Sequence, residues 1–81
     1  MRRVPTLDEI RHVVALELGV KQVGGDDHLV EDLGVESIDL VAILSAIEDR
    51  WGVTAQDADL SQVATVSDLH QLIGRLAGPP R

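Results

Sequence analysis

The sequence predicts an all-α protein, a small four-helix bundle of three longer helices and one short helix. Apolar residues recur at helical spacing in three segments, near residues 7–18, 37–51 and 66–76. The alternation of apolar and polar residues that is typical of strands does not appear. The chain has 81 residues, a length that allows one hydrophobic core. We therefore expect one folded domain over residues 6–77, between short tails at residues 1–5 and 78–81.

The first helix is predicted to begin after Thr6 and to end near Leu18. Thr6 and Glu9 have the spacing of a capping box, with Thr6 as the N-cap and Glu9 at N3. Gly19 suits the left-handed residue that ends many helices. The buried stripe of this helix is predicted to contain Leu7, Ile10, Val14 and Leu18, with Val13 at its edge.

A long connection over residues 20–36 follows the first helix. Gly24-Gly25 interrupts any helix, and Asp26-Asp27 can initiate a turn. We expect Leu29 and Leu33 to anchor this segment on the core, and Val30 is a weaker candidate for the same role. The order of its acidic residues differs from that of an EF-hand loop, so no metal site is predicted.

The second helix is predicted over residues 37–51 and has two apolar faces. The core face is predicted to contain Leu40, Ile43, Leu44, Ile47 and Trp51. The opposite face carries Ile38, Val41, Ala42 and Ser45, with Asp49 at its end. A solvent-facing strip of this kind either contacts a partner protein or is covered by another helix of the domain. The pattern leaves both interpretations open.

Ser37 stands where the second helix begins, after the turn that contains Gly34. Serine is among the residues preferred at helix N-caps, because its oxygen accepts from an unpaired backbone N–H. From its position alone, the simplest interpretation is that Ser37 is a structural N-cap.

The remaining elements are one short helical turn and a last helix. Residues 53–58 are predicted to be a loop, and residues 59–63 a helical turn with Asp59 as its cap and with Leu60 and Val63 pointing inward. Thr65 is predicted to cap the last helix, which runs to about Leu76 before Gly78-Pro79-Pro80. Its apolar face contains Val66, Leu69, Leu72, Ile73 and Leu76.

The charge of the chain excludes several classes of partner. The net charge is −7, and Arg50 is the only base between Asp26 and Asp59. Such an acidic chain is a poor ligand for nucleic acid or for an anionic membrane. No signal peptide or membrane-spanning run is present in the sequence, so a cytoplasmic location is expected. The chain contains no cysteine, so it cannot form a thioester with its own side chains.

The three histidines do not form a recognisable site. His12, His28 and His70 fall on different predicted elements without metal-ligand spacing, and we interpret them as surface residues. A Ser-His-Asp triad that uses Ser37 lacks an evident oxyanion hole, so no catalytic residue is predicted.

The segment Asp32-Leu33-Gly34-Val35-Glu36-Ser37-Ile38-Asp39-Leu40 resembles the attachment motif of acyl carrier proteins. In that family, an Asp-Ser-Leu or Asp-Ser-Ile triplet opens the second helix. The match extends through Ile43, Leu44, Ile47, Glu48 and Gly52, and it resumes at Thr65-Val66-Ser67-Asp68-Leu69 and at Ile73. The resemblance implies that Ser37 carries a 4′-phosphopantetheine arm, which a phosphopantetheinyl transferase donates from coenzyme A. It also implies that the chain is a carrier of acyl thioesters and not an enzyme.

The resemblance further implies partners and a docking surface. The partners would be acyl-transferring and acyl-modifying enzymes of fatty-acid, polyketide or related biosynthesis, with basic docking surfaces, and the carrier would be a monomer. The residues expected to contact them lie beside Ser37 on the second helix and are Glu36, Ile38, Asp39, Val41, Ala42, Ser45, Glu48 and Asp49.

The sequence departs from the family pattern at a few positions. Glu36 stands where an aspartate is usual before the serine, Ala42 and Ser45 differ from many fatty-acid carriers, and Arg50 interrupts the acidic tract. Glu36 keeps the negative charge, so modification is still expected, whereas the other departures weaken the case for a fatty-acid role. Two alternative functions also stay open. One is an aminoacyl or peptidyl carrier, which usually has a Gly-Gly-His-Ser type of motif where this chain reads Gly-Val-Glu-Ser. The other is a helical protein–protein adaptor that carries no arm.

Overall fold

The computed structural model describes residues 4–78, and these residues form four helices. The helices are α1 (Leu7–Leu18), α2 (Ser37–Trp51), α3 (Asp57–Leu60) and α4 (Val66–Ala77). Within the described range the only strand-like pairing is an isolated antiparallel bridge between His28 and Thr65. The predicted fold class is therefore confirmed. The predicted tail residues 1–3 and 79–81 lie outside the described residues.

Helix α1 begins and ends as its sequence predicts. Thr6 Oγ1 accepts from the Glu9 N–H at 3.1 Å, and Glu9 Oε1 accepts from the Thr6 N–H at 2.9 Å. Gly19 follows the helix with a φ of 72°, a left-handed conformation that glycine adopts at little cost. The prediction that Val13 lies at the edge of the buried stripe is wrong, because Val13 is 1% exposed. Since α1 packs against both α2 and α4, its buried arc is wider than a single stripe.

The core lies where α1, α2 and α4 meet. Its fully buried aliphatic residues include Ile10 and Val14 of α1, Ile43 and Ile47 of α2, and Val66, Leu69 and Ile73 of α4. Trp51 is 7% exposed, which confirms its predicted role as a core residue at the end of α2. Gly52 then ends this helix with a φ of 66°.

The connections contribute more to the core than the sequence pattern predicted. Leu29 is buried as expected, whereas Leu33 is only partly buried. Val23, Val35 and Val53 are buried although no prediction placed them in the core. These valines lie in irregular segments, where helical periodicity gives no signal.

Pro5 belongs to the folded part of the chain, although it precedes the domain start predicted at residue 6. Its side chain is fully buried, and its carbonyl oxygen accepts from His70 Nε2 at 3.1 Å. The bond joins the start of α1 to α4. His70 is partly buried, in contrast to the surface position expected for it.

Helix α3 begins at Asp57, three residues before the start that a cap at Asp59 predicts, and ends at Leu60. The N-cap is Gln56 instead of Asp59. Asp59 occupies N3, and its Oδ2 accepts from the Gln56 N–H at 3.0 Å. Leu60 and Val63 are partly buried and pack on the core, in agreement with their predicted inward orientation.

The start of α4 is capped by Thr65, as predicted. Thr65 Oγ1 accepts from the Asp68 N–H at 3.0 Å, and Asp68 Oδ2 accepts in return from the N–H groups of Thr65 and Ala64, both at 3.0 Å. The resulting network fixes the first turn of α4 against the end of the α3 segment. Across residues 4–78, every helix is too short or too polar to span a bilayer.

Candidate functional site

A compact turn over residues 28–34 delivers the chain to α2. The Gly34 N–H donates to Val30 O at 3.0 Å, and the Val35 N–H donates to Leu29 O at 2.9 Å. Gly34 has a φ of 67°, which reverses the chain direction where a residue with a Cβ would be strained. Val35 is then buried. The buried side chains of Leu29 and Val35 therefore hold the two ends of the turn against the core, just before Ser37.

Ser37 is the first residue of α2 and not its N-cap, so the structural N-cap interpretation is wrong. The N-cap is Glu36, which has extended backbone angles. Asp39, at N3, accepts from the Glu36 N–H through its Oδ2 at 2.9 Å. Ser37 is exposed, and no group within residues 4–78 forms a hydrogen bond with its Oγ. The hydroxyl therefore faces solvent at the positive end of a helix.

A depression of about 160 Å³ lies beside Ser37. It is lined by Leu29, Val30, Val35, Glu36, Ser37, Leu40 and Val63. Its walls come from the turn, the first helical turn of α2 and the segment after α3. The lining is predominantly aliphatic, so the site offers an apolar surface next to an exposed hydroxyl.

The outer face of α2 is uncovered, so no helix in the described part of the chain conceals the apolar strip predicted there. Ile38 is 74% exposed and Val41 is 63% exposed. Ala42, Ser45 and Asp49 are exposed on the same face. Val30, the weaker core candidate of the turn, is instead 63% exposed and lines the depression beside Ser37. Sequence periodicity could not identify Val30, because it lies outside any helix.

The acidic residues expected around the strip differ in their surroundings. Glu36 and Asp49 are exposed, whereas Asp39 and Glu48 are partly buried. Asp39 holds the start of α2, and Glu48 Oε2 accepts from the Ala55 N–H at 3.0 Å. Two of the four carboxylates therefore also have structural roles within the protein.

The histidines are not assembled around Ser37. His12 is exposed on α1, His70 bonds to Pro5, and His28 Nδ1 accepts from the Glu31 N–H at 3.1 Å. His28 is partly buried, which corrects the expectation that all three histidines are surface residues. Within residues 4–78 no cluster of three potential metal-ligating side chains occurs.

The site fits a phosphopantetheine group covalently attached to serine. An exposed hydroxyl is open to modification, and the unpaired N–H groups at a helix N-terminus stabilise the phosphodiester anion that modification creates. The neighbouring aliphatic depression can contact the uncharged part of such an arm.

Comparisons with known proteins agree with this geometry. A family model described as the phosphopantetheine attachment site matches residues 8–73. The chain is 33% identical over 78 residues to an acyl carrier protein of Thermotoga maritima, covering 94% of this chain and 96% of the relative. It is 35% identical over 83 residues to an acyl carrier protein of Saccharopolyspora erythraea, covering 95% and 87%.

Solved structures give the same result for the fold. The acetyl actinorhodin acyl carrier protein of Streptomyces coelicolor superimposes with a TM-score of 0.77 at 26% identity, covering 95% of both chains. The actinorhodin holo acyl carrier protein of the same organism gives a TM-score of 0.71 at 29% identity, with the same coverage.

Proposed function

Because the chain belongs to the acyl carrier protein family of phosphopantetheine-attachment domains, we propose that Ser37 carries the 4′-phosphopantetheine arm and that the outer face of α2 docks partner enzymes. The protein is an acyl carrier and not a catalyst. Its prosthetic group, when attached, supplies the terminal thiol that holds acyl groups as thioesters. The chain itself contains no cysteine that could do so.

The position of the Ser37 hydroxyl carries this proposal. To accept the arm from coenzyme A, Oγ must lose its proton and bond to the phosphorus that carries the pantetheine, while the phosphoanhydride bond of coenzyme A breaks and adenosine 3′,5′-bisphosphate leaves. The hydroxyl must therefore be reachable by a transferase. Ser37 is exposed, and its hydroxyl is not engaged by any group in residues 4–78. The phosphodiester would then lie at the N-terminus of α2, where the helix dipole and free N–H groups favour an anion.

The surface around Ser37 fits a partner with an apolar groove and a basic rim. Family membership implies a phosphopantetheinyl transferase and biosynthetic enzymes as partners. Ile38 and Val41 would enter the groove, with the small residues Ala42 and Ser45 allowing close approach. The exposed carboxylates Glu36 and Asp49, with the partly buried Asp39 and Glu48, would meet basic residues of the partner and accelerate encounter.

Intact-mass measurement tests the attachment residue. We expect incubation with coenzyme A and a broad-specificity phosphopantetheinyl transferase to add the mass of one phosphopantetheinyl group to the wild type. Ser37→Ala should gain nothing, whereas Ser45→Ala, an exposed serine on the same helix, should be fully modified. A gain that persists in Ser37→Ala, or no gain in the wild type, would overturn the proposal.

Mass measurement also separates the alternative functions. An adaptor without an arm predicts no mass gain in any variant. A peptidyl carrier predicts the gain but would be loaded with an aminoacyl group, which the mass of the charged protein isolated from its natural host would reveal. We also propose a monomer in the cytoplasm, to be checked by light scattering and by cell fractionation.

A further inference from the structure

A second hollow, which we call the α1–α2 cleft, lies between the start of α1 and the end of α2. It has a volume of about 430 Å³ and is lined by Asp8, Glu9, His12, Arg50 and Trp51. The cleft is larger than the depression beside Ser37 and lies at the opposite end of α2, about 20 Å away along the helix axis. The proposed attachment of the arm does not use it.

Arg50 is the unpaired charge of the α1–α2 cleft. It is exposed in the last turn of α2, and its guanidinium has no hydrogen bond or ion pair within residues 4–78. By contrast, Asp8 Oδ1 pairs with Arg11 Nη1 at 2.9 Å, and Glu9 Oε1 accepts from the Thr6 N–H at 2.9 Å. Both carboxylates of the cleft are therefore engaged, whereas the guanidinium can bind a carboxylate from another molecule.

Trp51 gives the cleft an apolar wall and a second donor. Its side chain lines the cleft and is 7% exposed. The Nε1 atom is buried and has no acceptor within the described residues. Buried N–H groups normally have a partner, because leaving one unpaired costs free energy. A ligand that combines an apolar group with an acceptor can therefore contact the ring and, after a small movement of the ring, bond to Nε1.

Basic residues are concentrated around the cleft. An adjoining depression of about 290 Å³ shares Asp8 and His12 with the cleft and is also lined by Arg11 and Lys21. Three of the four arginine and lysine residues within residues 4–78 thus border these two hollows. This surface suits a negatively charged partner, the opposite of the basic partner proposed for the outer face of α2.

We propose that the α1–α2 cleft binds an acidic segment of a partner protein, with a carboxylate on Arg50 and an apolar side chain against Trp51. Lys21 and Arg50 border different hollows, so they suit the several carboxylates of a peptide segment better than one small anion. A partner that also has a basic groove for the start of α2 would then dock in one direction only. That this partner is a biosynthetic enzyme rests on the proposed function, whereas the preference of the cleft for an acidic segment does not.

Peptide titration of the unmodified protein tests the cleft. The probe is acetyl-Leu-Glu-Glu-Leu-amide, and the matched control is acetyl-Leu-Gln-Gln-Leu-amide. We expect the acidic peptide to give saturable changes in the fluorescence of Trp51 and in the magnetic resonance signals of its indole N–H and of the Arg50 amide. The control peptide should bind about fivefold more weakly, the upper end for an exposed ion pair. The net charge of −7 repels the acidic probe, so a non-specific charge effect would favour the control.

Substitutions locate the binding. Arg50→Gln should weaken binding of the acidic peptide about fivefold, and Arg50→Lys, which keeps the charge, should lose less. Arg75→Gln makes the same change at an exposed arginine of α4 and should bind like the wild type. No saturable binding by the wild type, equal binding of the two peptides, or equal affinities of Arg50→Gln and Arg75→Gln would overturn the inference. If Ser37 is never loaded although the acidic peptide binds, the proposed function fails and the cleft stands; loading without peptide binding gives the opposite result.

Discussion

The substitution Val41→Glu tests whether the outer face of α2 is a docking surface and not part of the core. Val41 is 63% exposed, so little more than a third of the side chain is buried. Complete burial of a valine contributes roughly 1.5–3 kcal/mol, and the substitution should therefore cost about 1 kcal/mol of unfolding free energy at most. By contrast, Ile47 on the opposite face is 0% exposed, and Ile47→Ala should cost about 2–5 kcal/mol.

The expected effect on docking is larger than the effect on stability. An added carboxylate should attract a basic partner, so any loss of transfer must come from the lost apolar contact. A minority of interface residues, clustered near the centre, each contribute more than about 1 kcal/mol of binding free energy, and the exposure of Val41 beside Ser37 makes it a candidate for this group. We therefore expect the KM for transferase loading of Val41→Glu to rise about tenfold.

Two measurements and one matched control complete the test. Urea unfolding, followed by the fluorescence of the buried Trp51, gives the stability, and intact mass against time gives the loading kinetics. Leu16→Glu is the control, because Leu16 is 55% exposed on α1 and the change in charge is the same. A loss of more than about 2 kcal/mol in Val41→Glu would mean that this side chain belongs to the core. Normal loading by Val41→Glu, or equal impairment of Leu16→Glu, would remove the strip from the docking surface.

Two further predictions concern stability. The pKa of Asp68 is lowered in the folded protein, mainly by the backbone N–H groups that donate to its carboxylate. Its contribution to the free energy of unfolding is therefore fully present above the ordinary pKa of 3.8, and it is lost as the pH falls through the lowered pKa of the folded protein. Urea unfolding should show that Asp68→Asn is less stable than the wild type at pH 7 and loses less stability than the wild type between pH 7 and pH 2.5. The same two changes in Asp49→Asn, at an exposed aspartate, would contradict this. Thermal unfolding should show changes of stability with opposite signs at two glycines. Gly34→Ala, at a φ of 67°, should destabilise the protein by about 1–2 kcal/mol. Gly74→Ala lies inside α4, where the new Cβ makes only an ordinary contact with Val4 at 3.9 Å, and it should stabilise the protein by about 0.5–1 kcal/mol. The same sign for both would refute the argument from backbone conformation.

The helices could be predicted because their signals are local. The capping boxes at Thr6 and Thr65 and the glycines at 19 and 52 each mark a helix end by the chemistry of a few neighbouring residues, and the structure has all four. The burial of Pro5 could not be predicted in this way. Its carbonyl oxygen accepts from His70 on α4, which is 65 residues away in the sequence, so only the tertiary fold brings these two residues together.

Two N-cap predictions are wrong, although the start of α2 at Ser37 is as predicted. N-cap propensity favours Ser37 and Asp59 at these positions. The structure instead uses Glu36 and Gln56, because the residue three positions later is an aspartate whose carboxylate accepts from the N-cap N–H. A cap at Ser37 would place the apolar Leu40 at N3, where it could not return a hydrogen bond. The reciprocal half of the capping box was therefore the informative signal at Ser37. It does not discriminate at Asp59, because a cap there would place Gln62 at N3, and glutamine can also return the hydrogen bond.

The shift by one residue matters for the chemistry proposed at Ser37. A serine at the N-cap uses its oxygen to accept from an N–H of the first turn, and covalent modification would then disrupt the helix start. At the first helical position the oxygen has no such task, because the N-cap of α2 is Glu36 and no group within residues 4–78 bonds to Ser37 Oγ. The helix can therefore form before modification and keep its N-terminal bonds afterwards. On this argument, Ser37→Ala should abolish loading while leaving the unfolding free energy nearly unchanged, and a loss of stability typical of a missing N-cap, about 1 kcal/mol, would contradict it.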